Sequence, residues 1–241
     1  MLYTSKEIIE NYECYEFEEL TSTNDEIKNI KDLSIPTLIT AINQTKGRGR
    51  RARNWTPILG NLYFSYNIEL SPKDLSKFVC LIGLSLAKTI KQLSSTLDIK
   101  IKWPNDVMVN NNKISGILIE NISGNYWAVG IGVNIVDSPN IENASYQATS
   151  LKEQGIILDR KDFLRYYLKN FNQDYKQYLQ FGFENIRKQW LELALNINKT
   201  ITIQNEKTSK KGEFITIDDN GYLILKTKDK EEKIIAGDLF I

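Results

Sequence analysis

The sequence predicts an α+β fold in which a β-sheet carries helices and a small antiparallel barrel follows. Three observations predict it. Segments such as TLITAINQT (37–45) and NLYFSYNIEL (61–70) cluster or alternate β-branched and apolar residues as strands do. From Leu75, apolar residues recur at Phe78, Val79, Ile82, Leu86, Ile90 and Leu93, the spacing of one long helix lying against a sheet. From Asn198 the chain turns to short strands, TITIQ, KGEFITIDDNGYLILK and EEKIIAGDLFI, separated by turn signals of which DDNG is the strongest.

The elements follow in order. ECYEFEEL (13–20) alternates loosely as a strand and runs into TSTNDEIKNI, where Ser22, Thr23 or Asn24 can cap a short helix. The strand at 37–45 ends at a basic loop, and the strand at 61–70 follows that loop. After the long helix, IKIKWPNDVMVNNNKISGILIE (99–120) reads as a strand, a turn at PND, and a hairpin with the Asn run 110–112 at its tip. YWAVGIGVNI (126–135) is an apolar strand with glycines where a ligand or a backbone could come close. Residues 136–159 form an irregular connection, and amphipathic helices follow near 160–180 and 183–195. Asn196–Lys199 marks the boundary, which divides the chain into a domain at 1–197 and a barrel at 198–241.

With 31 basic and 30 acidic residues, the net charge of +1 supplies no global field toward nucleic acid or anionic membrane. Cys14 and Cys80 sit in no metal-ligand spacing and imply no disulfide framework. Histidine is absent, which removes the usual general base and the usual metal ligand, so chemistry must run on Lys, Arg, Asp, Glu, Asn and bound ions. The start lacks the apolar run of a signal peptide, and the longest apolar stretch, 78–90, is too short to span a bilayer. A cytoplasmic protein with no membrane partner is expected.

KGRGRRARNW (46–55) places Lys46, Arg48, Arg50, Arg51 and Arg53 within eight residues without one acid. Alone, such a run also fits a solvated face or a nucleic-acid patch. Its place between two strands, the interleaved Gly47 and Gly49, and the preference for arginine favour a loop that wraps phosphate or carboxylate. Like charges repel and glycines are costly to order, so the loop is expected to fold only over an anionic ligand. A second cluster has matching chemistry: Lys102, Asn105, Asp106 and Lys113 flank one hairpin limb, with Trp103 and Pro104 stiffening the turn and Gly116 leaving room for a ligand. A surface hairpin with routine charges is the alternative.

STN (22–24), QTKGRGRRARNW (44–55), KWPND (102–106), KISGILIE (113–120) and GIGVN (130–134) resemble the biotin protein ligase family, in its order and spacing over nearly the whole chain. The resemblance implies a class II synthetase-like mixed sheet with helices on one side and an SH3-like C-terminal barrel. It also implies a short form without the helix-turn-helix repressor domain, since only some twenty residues precede STN. Ala52 departs from the family pattern, standing where a third glycine is usual, and would be strained there if the position needs positive φ.

The activity implied is ATP-dependent formation of biotinyl-5′-AMP, with biotin and ATP as substrates and Mg²⁺ as the ion, then transfer to a lysine of a biotin carboxyl carrier domain. Acetyl-CoA carboxylase or a similar biotin-dependent enzyme would own that domain. The resemblance gives Ser22, Thr23, Asn24, Gln44, Gly47, Arg48, Gly49, Arg50, Lys113 and Gly116 to biotin, and Arg50, Arg51, Arg53, Trp55, Lys102, Asn105, Asp106 and Asn134 to ATP. Lys113, Arg50, Arg51 and Arg53 would be catalytic, no protein group is expected to ligate metal directly, and Asp106 would stand behind the Mg²⁺. Nucleic acid is not an expected partner, and a homodimer through sheet edges is allowed. Lipoate or octanoate ligation, and a nucleic-acid-binding module, are the competing readings.

Overall fold

The computed structural model describes residues 3–140, 146–204 and 208–240, with the side chain of Ala52 outside that description. β1 (Ser5–Ile9) and β2 (Tyr12–Leu20) form a hairpin, followed by α1 (Thr23–Ile27), β3 (Thr37–Gln44) and β4 (Leu62–Glu69). Then come α2 (Leu75–Leu93), β5 (Ile99–Lys102), β6 (Asp106–Val109), β7 (Asn112–Ser123) and β8 (Tyr126–Val133). The helices α3 (Arg160–Phe181) and α4 (Phe183–Glu192) complete this part. β9 (Thr200–Gln204), β10 (Ser209–Ile217), β11 (Leu223–Lys226), β12 (Glu231–Ile234) and β13 (Asp238–Phe240) make a second, antiparallel sheet.

The first sheet has eight strands in the order β1-β2-β3-β4-β8-β7-β6-β5. It is mixed, because β2 and β3 run parallel while the other neighbours are antiparallel. The parallel pair needs a crossover, and α1 lies within it. Alternation assigns the two faces. Leu62, Phe64 and Tyr66 of β4 and Val129, Ile131 and Val133 of β8 join the main core with α2, α3 and α4. Phe17, Ile39, Ala41 and Ala128 belong to a smaller cluster with Ile27 of α1. The long helices thus share one face. This is the arrangement the resemblance implies, and the five-residue α1 packs with the smaller cluster on the other face, where it frames the site.

The cores explain why these elements hold. Leu81, Ile82, Leu86, Ala87 and Ile90 of α2 are fully buried, and each large aliphatic contributes roughly 1.5–3 kcal/mol. Leu81→Ala alone should cost about 2–5 kcal/mol. α3 begins at Asp159, whose carboxylate accepts the Lys161 N–H at 2.7 Å, and ends at Gly182 with φ of +75°. The second sheet is fastened to the first part by Trp103 Nε1 donating to Gly221 O (3.2 Å) and Arg187 Nε donating to Ile217 O (2.6 Å). The Trp103–Pro104 bond is cis. No helix among the described residues is long and apolar enough to cross a membrane.

Candidate active site

A cavity of about 650 Å³ opens on the face that carries α1. Its floor comes from β7 and β8, where Gly116, Leu118, Gly130 and Gly132 alternate with core residues. The basic loop, the start of α1 and Phe240 of the second sheet supply its walls.

One end is neutral and buried. Ser22, Thr23, Asn24 and Gln44 are 3–7% exposed. Gln44 Oε1 accepts from Thr23 N (2.8 Å) and Thr23 Oγ1 (3.1 Å). Ser65 Oγ of β4 lies 2.7 Å from Thr23 Oγ1 and 2.6 Å from Asn24 Oδ1. Asn24 Nδ2 donates to Glu120 Oε2 at 2.9 Å. Gly130 is required for this packing, since a Cβ there would lie 2.3 Å from Asn24 Oδ1.

The basic loop closes over the cavity through charge pairs. Arg48 donates to both oxygens of Asp25 (2.8 and 2.6 Å) and to Glu120 (3.2 and 2.9 Å). Those bonds, Asp25 first, raise the Arg48 pKa further. Burial pulls the Glu120 carboxyl upward, but the bonds from Arg48, Asn24 and Lys28 outweigh it and hold it below the usual range. Arg51 and Arg53 both reach Asp238 of β13, at 2.9 and 3.0 Å. Arg50 donates to Asn105 Oδ1 at 3.2 Å, and burial lowers its pKa. Turn bonds from Gly49 N to Arg53 O (2.7 Å) and Trp55 N to Gly47 O (3.0 Å) set the loop's shape. Three carboxylates of the chain, Asp25, Glu120 and Asp238, thus supply counter-charge that was expected from a ligand. Arg51 adopts the left-handed region at φ +55°, and the expectation for Ala52 lies outside the described residues.

The other end is charged. Lys113 Nζ pairs with Asp106 Oδ1 at 2.7 Å, across the β6–β7 hairpin. Tyr146 covers this pair: its hydroxyl donates to Asp106 at 3.4 Å, and Lys102 Nζ lies 4.0 Å from its ring centre. Burial brings Lys102 down to about 8, against the opposing pull of Asp106. Trp55 stands between the two ends. Its ring presses on Gly132, where a Cβ would lie 2.5 Å away, and its Nε1 is buried with no hydrogen-bond partner among the described residues. Lys113 Nζ lies 5.4 Å from the Trp55 ring centre.

Of the residues singled out from sequence, Ser22, Thr23, Asn24, Gln44, Arg48, Gly49, Arg50, Arg53, Trp55, Asn105, Lys113, Gly116 and Asn134 line this one cavity. Gly47, Arg51, Lys102 and Asp106 do not. Gly47 packs under the Trp55 backbone, Arg51 is held by Asp238, and Lys102 lies against the Tyr146 ring. Asn134 is largely committed to its own chain, donating to Thr149 O at 3.0 Å and accepting from Asn61 at 3.4 Å. Sequence reasoning assigned no role to Asp25, Ser65, Glu120, Tyr146, Asp238 or Phe240. Glu120 lies inside a motif, so its signal was present. The others carry no local signal.

A cavity with a neutral hydrogen-bonding end, a cationic end and an aromatic wall between them suits an uncharged polar group at one end and an anion at the other. Comparison with known proteins narrows this. Residues 15–135 match the Biotin/lipoate A/B protein ligase family and residues 197–241 the Biotin protein ligase C terminal domain. A biotin--[acetyl-CoA-carboxylase] ligase of Paracoccus denitrificans is 32% identical over 234 residues, 91% of this chain and 96% of that protein. The Bacillus subtilis bifunctional ligase/repressor BirA is 30% identical over 91% of this chain and 71% of its own length. The Aquifex aeolicus biotin protein ligase in complex with biotin and ATP superposes with a TM-score of 0.83 at 28% identity, covering 94% of this chain and 97% of that one. The chain belongs to the biotin protein ligase branch of the biotin/lipoate ligase family.

Proposed function

We propose that this chain activates biotin with ATP and transfers it to a lysine of a biotin carboxyl carrier domain. The observation that carries the reading is the single cavity in which a neutral ring site and the arginine loop meet at Lys113. A biotin carboxylate oxygen attacks the α-phosphorus of ATP, and the bond to the β,γ-phosphates breaks, giving biotinyl-5′-AMP and pyrophosphate. A carrier lysine amine then attacks the acyl carbon, its proton is lost, and AMP leaves. No enzyme nucleophile is consumed in either step.

The barrier is electrostatic, since a carboxylate meets a polyphosphate. Lys113, which now holds Asp106, exchanges that partner for the biotin carboxylate and then steadies the acyl-phosphate oxygens. Arg50 faces the same wall, and Arg51 and Arg53 turn from Asp238 to phosphate. Each cation aimed at developing charge contributes roughly 2–4 kcal/mol. Asn105 and Asn134 border the nucleotide, Lys102 adds charge behind Tyr146, and Trp55 divides ring from adenine. Ser22, Thr23, Asn24, Gln44, Arg48, Gly47, Gly49 and Gly116 shape the biotin site.

Among the described residues no three His, Cys, Asp or Glu side chains converge as a metal cage. Mg²⁺ would be expected to arrive with the phosphates, where Asp106 would be the nearby carboxylate. When bound, the ion would neutralise phosphate charge.

The test is purified chain with labelled biotin, ATP and a carrier domain, run beside lipoate. Biotin- and ATP-dependent labelling of one carrier lysine is expected. Labelling by lipoate at a comparable rate, or none by biotin, overturns the reading.

A further inference from the structure

The neutral end of the cavity is wired in one direction. Glu120 has a depressed pKa and, as a carboxylate, can only accept. Asn24 must therefore present its NH₂ to Glu120 (2.9 Å), which leaves Oδ1 facing Ser65. Ser65 has a single proton, shared between the Asn24 amide oxygen at 2.6 Å and Thr23 Oγ1 at 2.7 Å. The Thr23 hydroxyl in turn donates its own proton to Gln44 Oε1 at 3.1 Å. Thr23 N–H meanwhile fixes Gln44 with Oε1 inward at 2.8 Å. What remains for a ligand is a Gln44 NH₂ with no partner among the described residues, and a lone pair on Thr23 Oγ1. The wall offers a donor at one point and an acceptor beside it, the complement of a cyclic urea with its carbonyl and flanking N–H groups.

Two members of this chain of bonds, Ser65 and Glu120, do not line the cavity. Ser65 is fully buried opposite Gly130, and Glu120 sits behind Arg48 and Asn24. We propose that Ser65 and Glu120 are positioning residues that fix the hydrogen-bond sense of the ring site, and so its preference for a urea over a ring of reversed polarity. This rests on the biotin reading above.

The probe is 2-iminobiotin, whose guanidinium form donates where biotin accepts. The readout is the ratio of kcat/KM for biotin over 2-iminobiotin in adenylate formation. Ser65→Ala frees the Asn24 and Thr23 groups to turn without altering any charge, and the ratio should fall about tenfold, the worth of one buried hydrogen bond. The KM for ATP should not change. Glu120→Gln replaces an obligate acceptor with a group of either sense, and its ratio should fall as well. It also serves if Ser65→Ala does not fold. A purely structural role would depress both ring substrates together. An unchanged ratio, within twofold, in a folded variant overturns the proposal while leaving the biotin reading intact. A parent protein that cannot use biotin overturns both.

Discussion

Thr23, Asn24 and Gln44 lie at most 7% exposed and are joined directly or through the Ser65 hydroxyl, while the Arg53 side chain is 53% exposed and leans on a carboxylate from a different sheet. Each region suits a different task. In a buried neutral network an unmade hydrogen bond costs about 1–3 kcal/mol, so a wrong ring is rejected without any moving part. At the charged end Lys113 already has Asp106, and Arg51 and Arg53 share Asp238, while Arg50 rests on the Asn105 amide and Lys102 on the Tyr146 ring. An anionic substrate enters there by exchange. Discrimination is static, whereas activation requires repartnering.

The largest effect that would break this contrast is at Lys113. Lys113→Ala should lower kcat for adenylate formation by about 10²–10³-fold, read as pyrophosphate release at saturating biotin and ATP. The fold should persist at reduced stability, because Asp106, 8% exposed, is left without its partner at a cost of up to about 3–5 kcal/mol, so the assay is run well below the midpoint. By contrast, Gln44→Ala at the neutral end should act mainly on the biotin KM. Turnover of Lys113→Ala within threefold of the parent would remove the cationic end from the chemistry.

Next in size is the response to pH. Burial holds Lys102 at about 8, so it loses its charge as pH rises through that value. The KM for ATP should climb above pH 8, approaching tenfold per unit, while the biotin KM stays level. Stability should move the other way. Between about 8 and the unfolded value of 10.5 the unfolded chain binds more protons, so unfolding free energy rises with pH across that window. Lys102→Met should abolish both trends, and an unshifted ATP profile in that variant would show that Lys102 plays no part.

A smaller effect is expected at Asp238. Asp238→Asn keeps the shape but removes the charge that holds Arg51 and Arg53. Amides 46–53 should exchange several-fold faster in ligand-free protein and equally in the presence of a non-hydrolysable biotinyl-adenylate analogue. Equal exchange in the free proteins would mean that Asp238 is not what holds the loop.

How much of this the sequence shows follows from the range of each interaction. Alternation in β4 and β8 and helical spacing in α2 are local, so the sheet and its long helix are legible. β1 was not read because Ser5–Ile9 carries Lys6 and Glu7 and an exposed Ile8, and pairs only as an edge strand. The loop's arginines and Lys113 are legible as motifs, but their partners are not. Arg51 meets Asp238 across 187 positions and Ser65 meets Asn24 across 41, contacts that only the register of β4 and the docking of β13 create. Asp25 and Tyr146 look like ordinary surface residues until the fold sets them beside Arg48 and Lys102.

The smallest effect tests whether the contrast between the ends is complete, or whether a covalent step hides elsewhere. Cys14 and Cys80 both pack in the main core on the face that carries the long helices, away from the cavity. Burial pushes the Cys14 thiol up to about 11 and the Cys80 thiol higher still, so neither is a thiolate near neutral pH. Cys14 Sγ has the Tyr12 carbonyl at 3.6 Å, which a serine hydroxyl could also use. Cys80 lies among apolar side chains of α2, so a hydroxyl there loses hydration without return, at about 1–3 kcal/mol. The Cys14→Ser, Cys80→Ser double variant should therefore melt several degrees lower yet keep its kcat and both KM values when assayed well below that midpoint. Folded but inactive double variant would place a nucleophile in the core, and the division of labour between a neutral and a cationic end would no longer account for the reaction.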